Sequence, residues 1–224
     1  MHKLTAALMF LLGSLVLAGC SATATNTNAG KMATLSFTPA YDFEMDTVNA
    51  VPSGFNLAGP VSVTDEQARS GNQSVKLTRL NANENVRLRH HFGARPAGEM
   101  KVSLFVPNDV QSDTFITLFQ DSYRADPDRI VDVMFRANGD IRNREIGGPV
   151  VIGKFRKGTW NDIEINWQNL STNNTYSLKV NGNLIGNFTA ERSGMVPARL
   201  DIKYGSGNSP TGSISLYLDA LTIH

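Results

Sequence analysis

Cysteine is nearly absent from this sequence, since Cys20 is the single cysteine among 224 residues. One cysteine excludes an intrachain disulfide and any metal site built from cysteine pairs, so the fold must be stabilised by its core. Charge of one sign is also missing, because 21 lysines and arginines nearly balance 20 aspartates and glutamates, for a formal net charge of +1. This balance provides no overall field that would attract nucleic acid or an anionic membrane surface.

Common catalytic motifs are missing as well. The chain has no Gly-x-Ser-x-Gly nucleophile elbow, no His-Glu-x-x-His pair and no phosphate-binding glycine loop. These absences argue against serine hydrolases of the elbow type, zinc hydrolases and nucleotide-binding enzymes. Long amphipathic helical periodicity is missing too, which argues against a helical domain.

The first twenty residues form a distinct segment. An apolar run over residues 6–18 follows Lys3, and the segment closes with Leu17-Ala18-Gly19-Cys20. The run is shorter than a membrane-spanning helix and is typical of a signal peptide. The closing tetrapeptide resembles the lipobox of bacterial lipoproteins, which implies cleavage before Cys20 and lipidation of Cys20. Ser21, where an aspartate would resemble an inner-membrane retention signal, implies an anchor in the outer membrane of the cell envelope.

Composition divides the rest of the chain in two. Residues 20–39 hold the lipidated cysteine and a segment rich in alanine, threonine, asparagine and glycine, which predicts a flexible tether. Residues 40–224 are long enough for one domain with a sizeable core. The predicted organisation is therefore a signal peptide at 1–19, a lipidated tether at 20–39 and one domain at 40–224.

Alternation of apolar and polar residues with period two recurs along this domain and predicts β-strands. The predicted strands cover residues 41–45, 61–64, 74–80, 85–92, 99–106, 114–120, 130–137, 141–145, 150–155, 162–168, 176–181, 184–189, 198–204 and 213–224. Asn138-Gly139 and Asn181-Gly182 predict hairpins, because type I′ turns need positive φ at both central positions. The pattern predicts an all-β fold, an antiparallel two-sheet β-sandwich.

Several segments in this order resemble one superfamily. They are Asp42-Phe43-Glu44, the Ala-Arg-Ser-Gly-Asn-Gln-Ser-Val-Lys-Leu run at 68–77, Gly-Thr-Trp-Asn-Asp-Ile-Glu-Ile at 158–165 and the closing Leu-Tyr-Leu-Asp-Ala-Leu-Thr-Ile at 216–223. The order is similar to that of concanavalin A-like jelly rolls, especially the LamG, carbohydrate-binding and 3-keto-disaccharide hydrolase types. The resemblance covers residues 41–224, and it implies a jelly roll and a polysaccharide or oligosaccharide partner.

The same resemblance implies a structural calcium site. In many carbohydrate-binding jelly rolls a calcium ion ties the first strand to the last, and the matching carboxylates here are Glu44 and Asp219, with Asp42 or Asp46 as substitutes. Backbone carbonyls near Ser70 complete the shell in those domains, and calcium prefers six to eight oxygen ligands. The alternative is that both carboxylates simply face water.

Polar side chains fall on the outward positions of three predicted strands, 85–92, 99–106 and 130–137. These side chains are Arg87, Arg89, His91, Lys101, Asp132 and Arg136. If the three strands line one concave sheet, they form a groove whose arginine forks suit the carboxylates or sulfates of an anionic glycan. The alternative is a merely solvated sheet face.

A second outward set lies on the strand at 162–168. Asp162 and Glu164 share its outer face with Trp160, which could stack on sugars. Residues two apart on a strand lie roughly 6.5–7 Å apart, and paired glycosidase carboxylates fall in this range. The pattern is similar to the Glu-x-Asp-x-x-Glu strand of jelly-roll glucanases, but the order of the acids differs and the last carboxylate is missing. A solvated strand face is again the alternative.

Three functions remain open from the sequence. The favoured hypothesis is an envelope-anchored lipoprotein that binds polysaccharide without catalysis and does not bind nucleic acid. The second is a glycoside hydrolase or polysaccharide lyase that uses Asp162 and Glu164, or His91 as the base beside the arginine face. The third is a structural or adhesive envelope protein whose partner is another protein. The oligomeric state stays open.

Overall fold

The computed structural model describes residues 41–81, 83–120, 129–144, 150–169, 173–190, 194–205 and 214–224. The chain divides into two units, residues 1–37 and 38–224, and every described residue belongs to the second. The signal peptide, Cys20 and the tether predicted before residue 40 lie outside the described residues. Within the described ranges, no helix has the length and apolar character needed to cross a membrane.

Fourteen β-strands make up the described domain. They are β1 Asn56–Ala58, β2 Val61–Thr64, β3 Ser74–Arg79, β4 Val86–His91, β5 Ala97–Phe105, β6 Thr114–Phe119, β7 Arg129–Phe135, β8 Asp140–Asn143, β9 Val150–Lys154, β10 Trp160–Asn169, β11 Asn174–Val180, β12 Asn183–Thr189, β13 Arg199–Tyr204 and β14 Ile214–Ile223.

The strands form two antiparallel sheets of seven strands each. The first sheet has the order β1-β4-β13-β6-β7-β8-β9, and the second has the order β12-β11-β10-β5-β14-β3-β2. Some neighbours are consecutive strands, such as β6, β7 and β8, and others come from distant parts of the chain, as where β13 pairs with β4 on one side and with β6 on the other. The predicted all-β, two-sheet antiparallel sandwich is confirmed.

The core lies between the inner faces of the two sheets. Alternation supplies it from both sides, as with Leu88 and Ile202 from the first sheet and Leu77 and Ile165 from the second, all at most 1% exposed. Burying each such side chain contributes roughly 1.5–3 kcal/mol. Truncating one of them to alanine costs about 2–5 kcal/mol, because the packed interior collapses only partly around the cavity.

The observed strands differ from the predicted strands at the beginning of the domain. Residues 41–45 form a turn instead of a strand, with one isolated bridge between Tyr41 and Leu221 and a φ of 64° at Phe43. The apolar–polar alternation there reflects Phe43 entering the core from a turn. Strand β1 was missed, because three residues at a sheet edge carry no periodic signal.

Both predicted hairpins are confirmed, with different turns. Asn181 and Gly182 have φ values of 53° and 77°, as a type I′ turn requires. At the other hairpin only Gly139 has a positive φ, of 87°. The four residues between β7 and β8 therefore form a longer loop than the predicted two-residue turn.

Strand β14 carries a bulge near its end. Its register against β5 shifts between Asp219 and Thr222, and Ala220 has a φ of 51°. The bulge reverses the alternation, so Leu221 and Ile223 enter the core, where unbroken alternation would have placed Ala220. It also turns the buried Asp219 toward the loop at 69–73.

Candidate functional site

The side chains predicted to line one groove lie on two opposite faces of the sandwich. Strands β4 and β7 belong to the first sheet, whereas β5 and β10 belong to the second. Packed sheets lie roughly 10 Å apart with the core between them. The expectation that β4, β5 and β7 share one concave sheet is therefore wrong for β5, because outward positions on different sheets point in opposite directions. Arg87, Arg89, His91, Asp132 and Arg136 are on the first sheet, and Lys101, Trp160, Asp162 and Glu164 are on the second.

A depression of about 80 Å³ lies on the outer face of the first sheet, and we call it the arginine cleft. It crosses β4, β13, β6 and β7 and reaches the residue after β8. Its charged lining consists of Arg87, Arg129, Asp132, Arg144, Asp201 and Lys203. The lining thus holds four cationic and two acidic side chains.

Asp201, on β13, is the centre of one half of the cleft and is 4% exposed. Arg89 donates to both of its carboxylate oxygens, from Nε at 3.0 Å and from Nη2 at 3.1 Å. Arg199 donates from Nε at 3.1 Å, and Arg87 Nε lies 3.5 Å from Oδ2. A buried carboxylate needs such partners, because an unpaired buried charge is strongly unfavourable.

Asp132, on β7, is the centre of the other half and is fully buried. Its Oδ2 accepts from Arg129 Nη1 at 2.6 Å and from Arg144 Nη1 at 3.0 Å. Thr117 Oγ1 donates to Oδ1 at 3.2 Å. Burial raises the pKa of Asp132 above its usual value, and Arg144 and Arg129 act in the opposite direction.

Two aromatic rings of β6 hold the cations of the cleft in place. The guanidinium of Arg199 lies 4.2 Å from the ring centroid of Phe119. Arg144 and Lys203 lie 5.2 and 5.1 Å from the ring centroid of Phe115. Cation–π contacts of this kind add to the ion pairs and restrict the long side chains to one arrangement.

Three of the predicted residues on this sheet lie outside the charged lining of the cleft, and Arg89, which pairs with Asp201, is one of them. Arg136 follows β7, and its Nε is 3.7 Å from Oδ2 of Asp113, so it belongs to the β7–β8 end of the sandwich. His91 is the last residue of β4, lies opposite Arg199 and is exposed. His91 therefore borders the Asp201 half of the cleft rather than its floor.

On the second sheet, Asp162 and Glu164 are held separately by cations. Arg69 donates to Asp162 from Nε at 3.1 Å and from Nη2 at 2.9 Å, and these bonds lower the pKa of Asp162 despite some desolvation. Partial burial acts to raise the pKa of Glu164, but hydrogen bonds from Lys179 at 2.5 Å and from Asn166 at 2.8 Å hold it below its usual value. The pKa values of both carboxyl groups therefore lie below their usual values, which favours the ionised form.

The remaining second-sheet candidates are part of the surface around this pair. Lys101 lies between Glu99, at 2.5 Å, and Glu164, at 3.9 Å. Trp160 is half-buried, because its ring centroid lies 5.6 Å from that of Phe105. A tilt of 59° between these two rings makes the pair a packed cluster rather than a flat platform for a sugar.

Glu44 and Asp219 both contact the loop at 69–73. The resemblance to jelly rolls implied that these two carboxylates lie near Ser70. Asp219 accepts from the backbone N–H groups of Arg69, at 2.7 Å, and Ser70, at 2.9 Å. Glu44 Oε1 accepts from the N–H groups of residues 72 and 73, at 2.9 and 2.8 Å. The loop thus presents amide protons to both carboxylates, whereas calcium needs oxygens.

The two carboxylates by themselves supply only part of the six to eight oxygen ligands that calcium prefers. Among the residues that the structure describes, no group of three or more histidine, cysteine, aspartate or glutamate side chains could hold a metal ion. Burial raises the pKa of Asp219, against hydrogen bonds from Ser70 and Arg69, and the nearby charge of Glu44 raises it further. Hydrogen bonds account for the burial of both carboxylates without a cation, and calcium binding stays a prediction.

Sequence reasoning missed four of the six charged residues that line the arginine cleft, Arg129, Arg144, Asp201 and Lys203. Asp201 and Lys203 occupy outward positions of β13, and the alternation that placed Arg87 and Arg89 would have found them. Arg129 lies three residues before Asp132 on the same strand, whereas only the pairing of β7 with β8 brings Arg144 to Asp132. No local pattern places Arg144 there.

Comparison of the sequence with protein-family models and with curated proteins finds no match. Solved structures with the same fold are numerous. A sialidase superposes with a TM-score of 0.61 at 11% identity over 76% of this chain, which spans only 17% of the sialidase. The alginate lyase Aly36B gives a TM-score of 0.57 at 10% identity, covering 82% of this chain and 95% of the lyase.

The carbohydrate recognition domain of Emp47p is similar as well. Its TM-score is 0.53 at 14% identity, over 82% of this chain and 92% of that domain. At these identities the likeness establishes the fold, a concanavalin A-like jelly roll, and leaves function to the site.

Proposed function

We propose that this protein is an envelope-anchored lipoprotein whose jelly roll binds an anionic polysaccharide at the arginine cleft, without cleaving it. One observation carries the proposal: the lining of the cleft brings Arg87, Arg129, Arg144 and Lys203 beside two buried aspartates, Asp132 and Asp201. Arginine is the residue best suited to bidentate contacts with carboxylates and sulfates.

The structural neighbours support a glycan as the ligand by analogy. One is titled an alginate lyase, and another is titled a carbohydrate recognition domain. The same sandwich therefore occurs both in a glycan-cleaving enzyme and in a recognition module. The analogy favours a glycan over other anions and does not choose between binding and cleavage.

The state of Asp162 and Glu164 favours binding over hydrolysis. A glycoside hydrolase needs one carboxyl group that stays protonated to act as the acid, beside a second that is ionised. Here the pKa values of both groups are lowered, and cations hold both side chains. The pair also lies on the sheet opposite the arginine cleft. We therefore propose that Asp162 and Glu164 are surface ion-pair residues.

Envelope anchoring rests on the lipobox-like segment that ends at Cys20. Several acyl chains on one residue anchor a protein stably, whereas a single chain gives only marginal membrane binding. Metabolic labelling with an alkyne fatty acid should label the wild-type protein and move it to the membrane fraction. Cys20→Ser should abolish both the label and the membrane association, and a labelled Cys20→Ser protein would contradict the anchor.

The test of glycan binding uses residues 21–224 on a panel of anionic and neutral polysaccharides, with the eluates examined for shortened chains. We expect binding to uronate- or sulfate-bearing polymers only, with no products. Arg89→Gln should weaken this binding. Lys179→Gln, which removes the same charge from the opposite face, is the matched control and should leave it unchanged.

Three results would contradict the proposal, each in a different way. Shortened chains would support the enzyme. Absence of binding to every polysaccharide would support a structural or adhesive role with a protein partner. Tighter binding to a single-stranded DNA oligonucleotide than to any glycan would show that the cleft recognises nucleic acid.

A further inference from the structure

The four outer edges of the two sheets differ in how they are protected. A free edge strand exposes backbone N–H and C=O groups that can pair with another chain. The edge strand β1 of the first sheet has only three residues. The edge strand β2 of the second sheet is covered, since Asn49 N–H donates to the Val63 carbonyl and Val63 N–H donates to the Ala50 carbonyl, both at 2.8 Å. One edge of each sheet is therefore short or covered.

The opposite edges, β9 and β12, are neither short nor covered by any described residue. Among those residues β9 pairs with β8 alone and β12 pairs with β11 alone. The two strands have five and seven residues, and the one-residue register shift in each twists the edge without covering it. They lie next to each other, because a Cβ placed on Gly153 of β9 would be 3.2 Å from the side chain of Ile185 of β12.

Exposed apolar side chains are concentrated on these two strands. Six large apolar side chains are exposed within the described residues, and three of them are Val150 and Val151 of β9 and Leu184 of β12. Single exposed apolar residues are ordinary on a protein surface, whereas several beside a free edge are typical of a contact surface. Strand β9 thus combines free backbone groups with exposed apolar side chains, the two features that strand addition uses.

A groove of about 760 Å³ lies between the two edges, and we call it the edge groove. Its lining comes from residues 154–160 and 180–185. Phe155 and Val180 are buried and form an apolar floor with Ile185. Lys154 and Arg156 also belong to the lining, and none of the lining residues is acidic. The charge of the groove is therefore complementary to an acidic ligand.

Both cations of the edge groove can take a ligand carboxylate. The backbone N–H and C=O of Arg156 bond to the buried Asn161 at 3.2 and 2.7 Å, which fixes the position of Arg156. Its exposed side chain makes no hydrogen bond or ion pair with any residue that the structure describes. Lys154 is 81% exposed and lies 3.6 Å from Asp140, and such an exposed pair holds a lysine only weakly.

From these features we propose that the edge groove binds an extended acidic peptide segment of a protein partner, which adds as a further strand beside β9. The peptide backbone pairs with the free edge of β9. An aspartate or glutamate of the peptide binds Arg156 and Lys154, and an apolar side chain packs on the floor. A glycan has no regular row of N–H and C=O groups for this edge, so the observations favour a peptide. The inference is independent of the proposed glycan binding, because the edge groove and the arginine cleft have no lining residue in common.

Peptide selection gives the first test. A phage-displayed library of random heptapeptides is selected on residues 21–224, and the enriched peptides are synthesised and titrated. We expect each to contain an acidic residue beside β-branched or aromatic residues. Replacing the acid by its amide should weaken binding about tenfold, the typical effect of losing a hydrogen bond to a charged group. Methylating the backbone nitrogens of alternate residues should abolish binding in one of the two possible sets only, because alternate N–H groups of an added strand face β9.

Removal of a cation gives the second test. Arg156→Gln should weaken binding of the selected peptide about tenfold, because the peptide carboxylate loses a guanidinium. Lys76→Gln removes the same charge from β3, near the opposite edge of the second sheet, and should leave binding unchanged. Melting temperatures show that both variants fold.

A charge placed on the free edge gives the third test. Val151→Glu should abolish peptide binding, because the new carboxylate repels the acid of the peptide and replaces an apolar contact. Val51→Glu makes the same change at an exposed valine beside the covered edge, next to Ala50, and should have no effect. Both valines are exposed, so both variants should fold.

The outcomes separate this inference from the proposed function. Failure to enrich acidic peptides, or selected peptides that bind Arg156→Gln and Val151→Glu as tightly as wild type, would overturn the inference. Equal binding of both methylated sets would overturn strand addition. Displacement of the peptide by polymannuronate would show that the groove takes any polyanion, and it would overturn the peptide assignment while leaving glycan binding intact. Peptide binding without binding to any glycan would overturn the proposed function alone.

Discussion

The outer faces of the two sheets have the same strand architecture and opposite charge arrangements. On the second sheet Asp162 pairs with Arg69 and Glu164 pairs with Lys179, and these side chains are partly exposed. In the arginine cleft of the first sheet Asp132 and Asp201 are buried, and Asp201 alone has three arginines around it. The near-neutral net charge of the chain hides this difference.

The difference concerns how the acidic side chains of each face are paired with cations. Exposed one-to-one ion pairs contribute little to stability and leave no net field. Buried aspartates with several arginine partners hold those arginines in one arrangement. The proposed anion site therefore lies on the first face, where the arginines are fixed in position.

The largest expected effect tests whether the second sheet is the scaffold of the domain. Strand β14 lies between β5 and β3, and it places Leu216, Leu218 and Leu221 in the core. A chain that ends at residue 213 should lose cooperative folding, because two neighbouring strands lose their partner and the core is opened to water. Thermal unfolding followed by circular dichroism measures this. A truncated chain with a sharp melting transition would contradict it.

Removing one acid from each face compares the two directly. Asp201→Ala leaves three arginines around a buried site, and it should lower the free energy of unfolding by about 3–5 kcal/mol. Asp162→Ala releases an exposed Arg69 and should cost less than about 1 kcal/mol. Urea unfolding measures both values. Similar losses for the two variants would show that the faces do not differ energetically.

The pH dependence of stability should have opposite signs at Asp162 on the second sheet and at Asp132 on the first. The hydrogen bond from Arg69 lowers the pKa of Asp162, so its stabilisation is present above the unfolded-state value of about 3.9 and is lost as the pH falls through the folded pKa. Burial raises the pKa of Asp132, so ionisation costs stability above the folded pKa, and this cost disappears as the pH falls.

Urea unfolding of two asparagine variants between pH 7 and pH 3.5 tests these signs. As the pH falls, the stability deficit of Asp162→Asn relative to wild type should become smaller. The deficit of Asp132→Asn should become larger, because only the wild-type protein gains from protonation. Deficits that change in the same direction would show that the two carboxyl groups have similar environments.

The smallest expected effect is that of a chelator on the melting temperature, and it concerns Glu44 and Asp219 beside the loop at 69–73. Five backbone N–H groups, from residues 69, 70, 72, 73 and 220, bond to Glu44 and Asp219. Because these bonds satisfy both carboxylates, we expect a chelator to leave the melting temperature unchanged. A clear rise in melting temperature with millimolar calcium, lost in Glu44→Gln, would instead support the predicted calcium site.

Much of the fold follows from local sequence. Period-two alternation located nearly all of the strands, because each strand has one face against the core and one face toward water. The alternation failed at residues 41–45, where a turn inserts Phe43 into the core, and at Ala220, where a bulge reverses the pattern. Both exceptions depend on backbone with positive φ, which apolar periodicity does not reveal.

The candidate site followed from the sequence only in part. Alternation showed that Arg87 and Arg89 face outward, and the structure agrees. It could not show that Lys101 faces away from them on the other sheet, nor that β13 brings Asp201 between β4 and β6. The burial of Asp132 is likewise not evident from its own strand, since one of its two arginine partners, Arg144, follows β8.

The sequence by itself therefore determined the strands and which side of each strand faces the core, because both depend on the spacing of neighbouring residues along the chain. Only the tertiary structure decided which outward faces lie side by side. That choice depends on hydrogen-bond pairing between strands far apart in sequence, such as residues 86–91 with 199–204. The arginine cleft exists because of that pairing, and no single strand contains it.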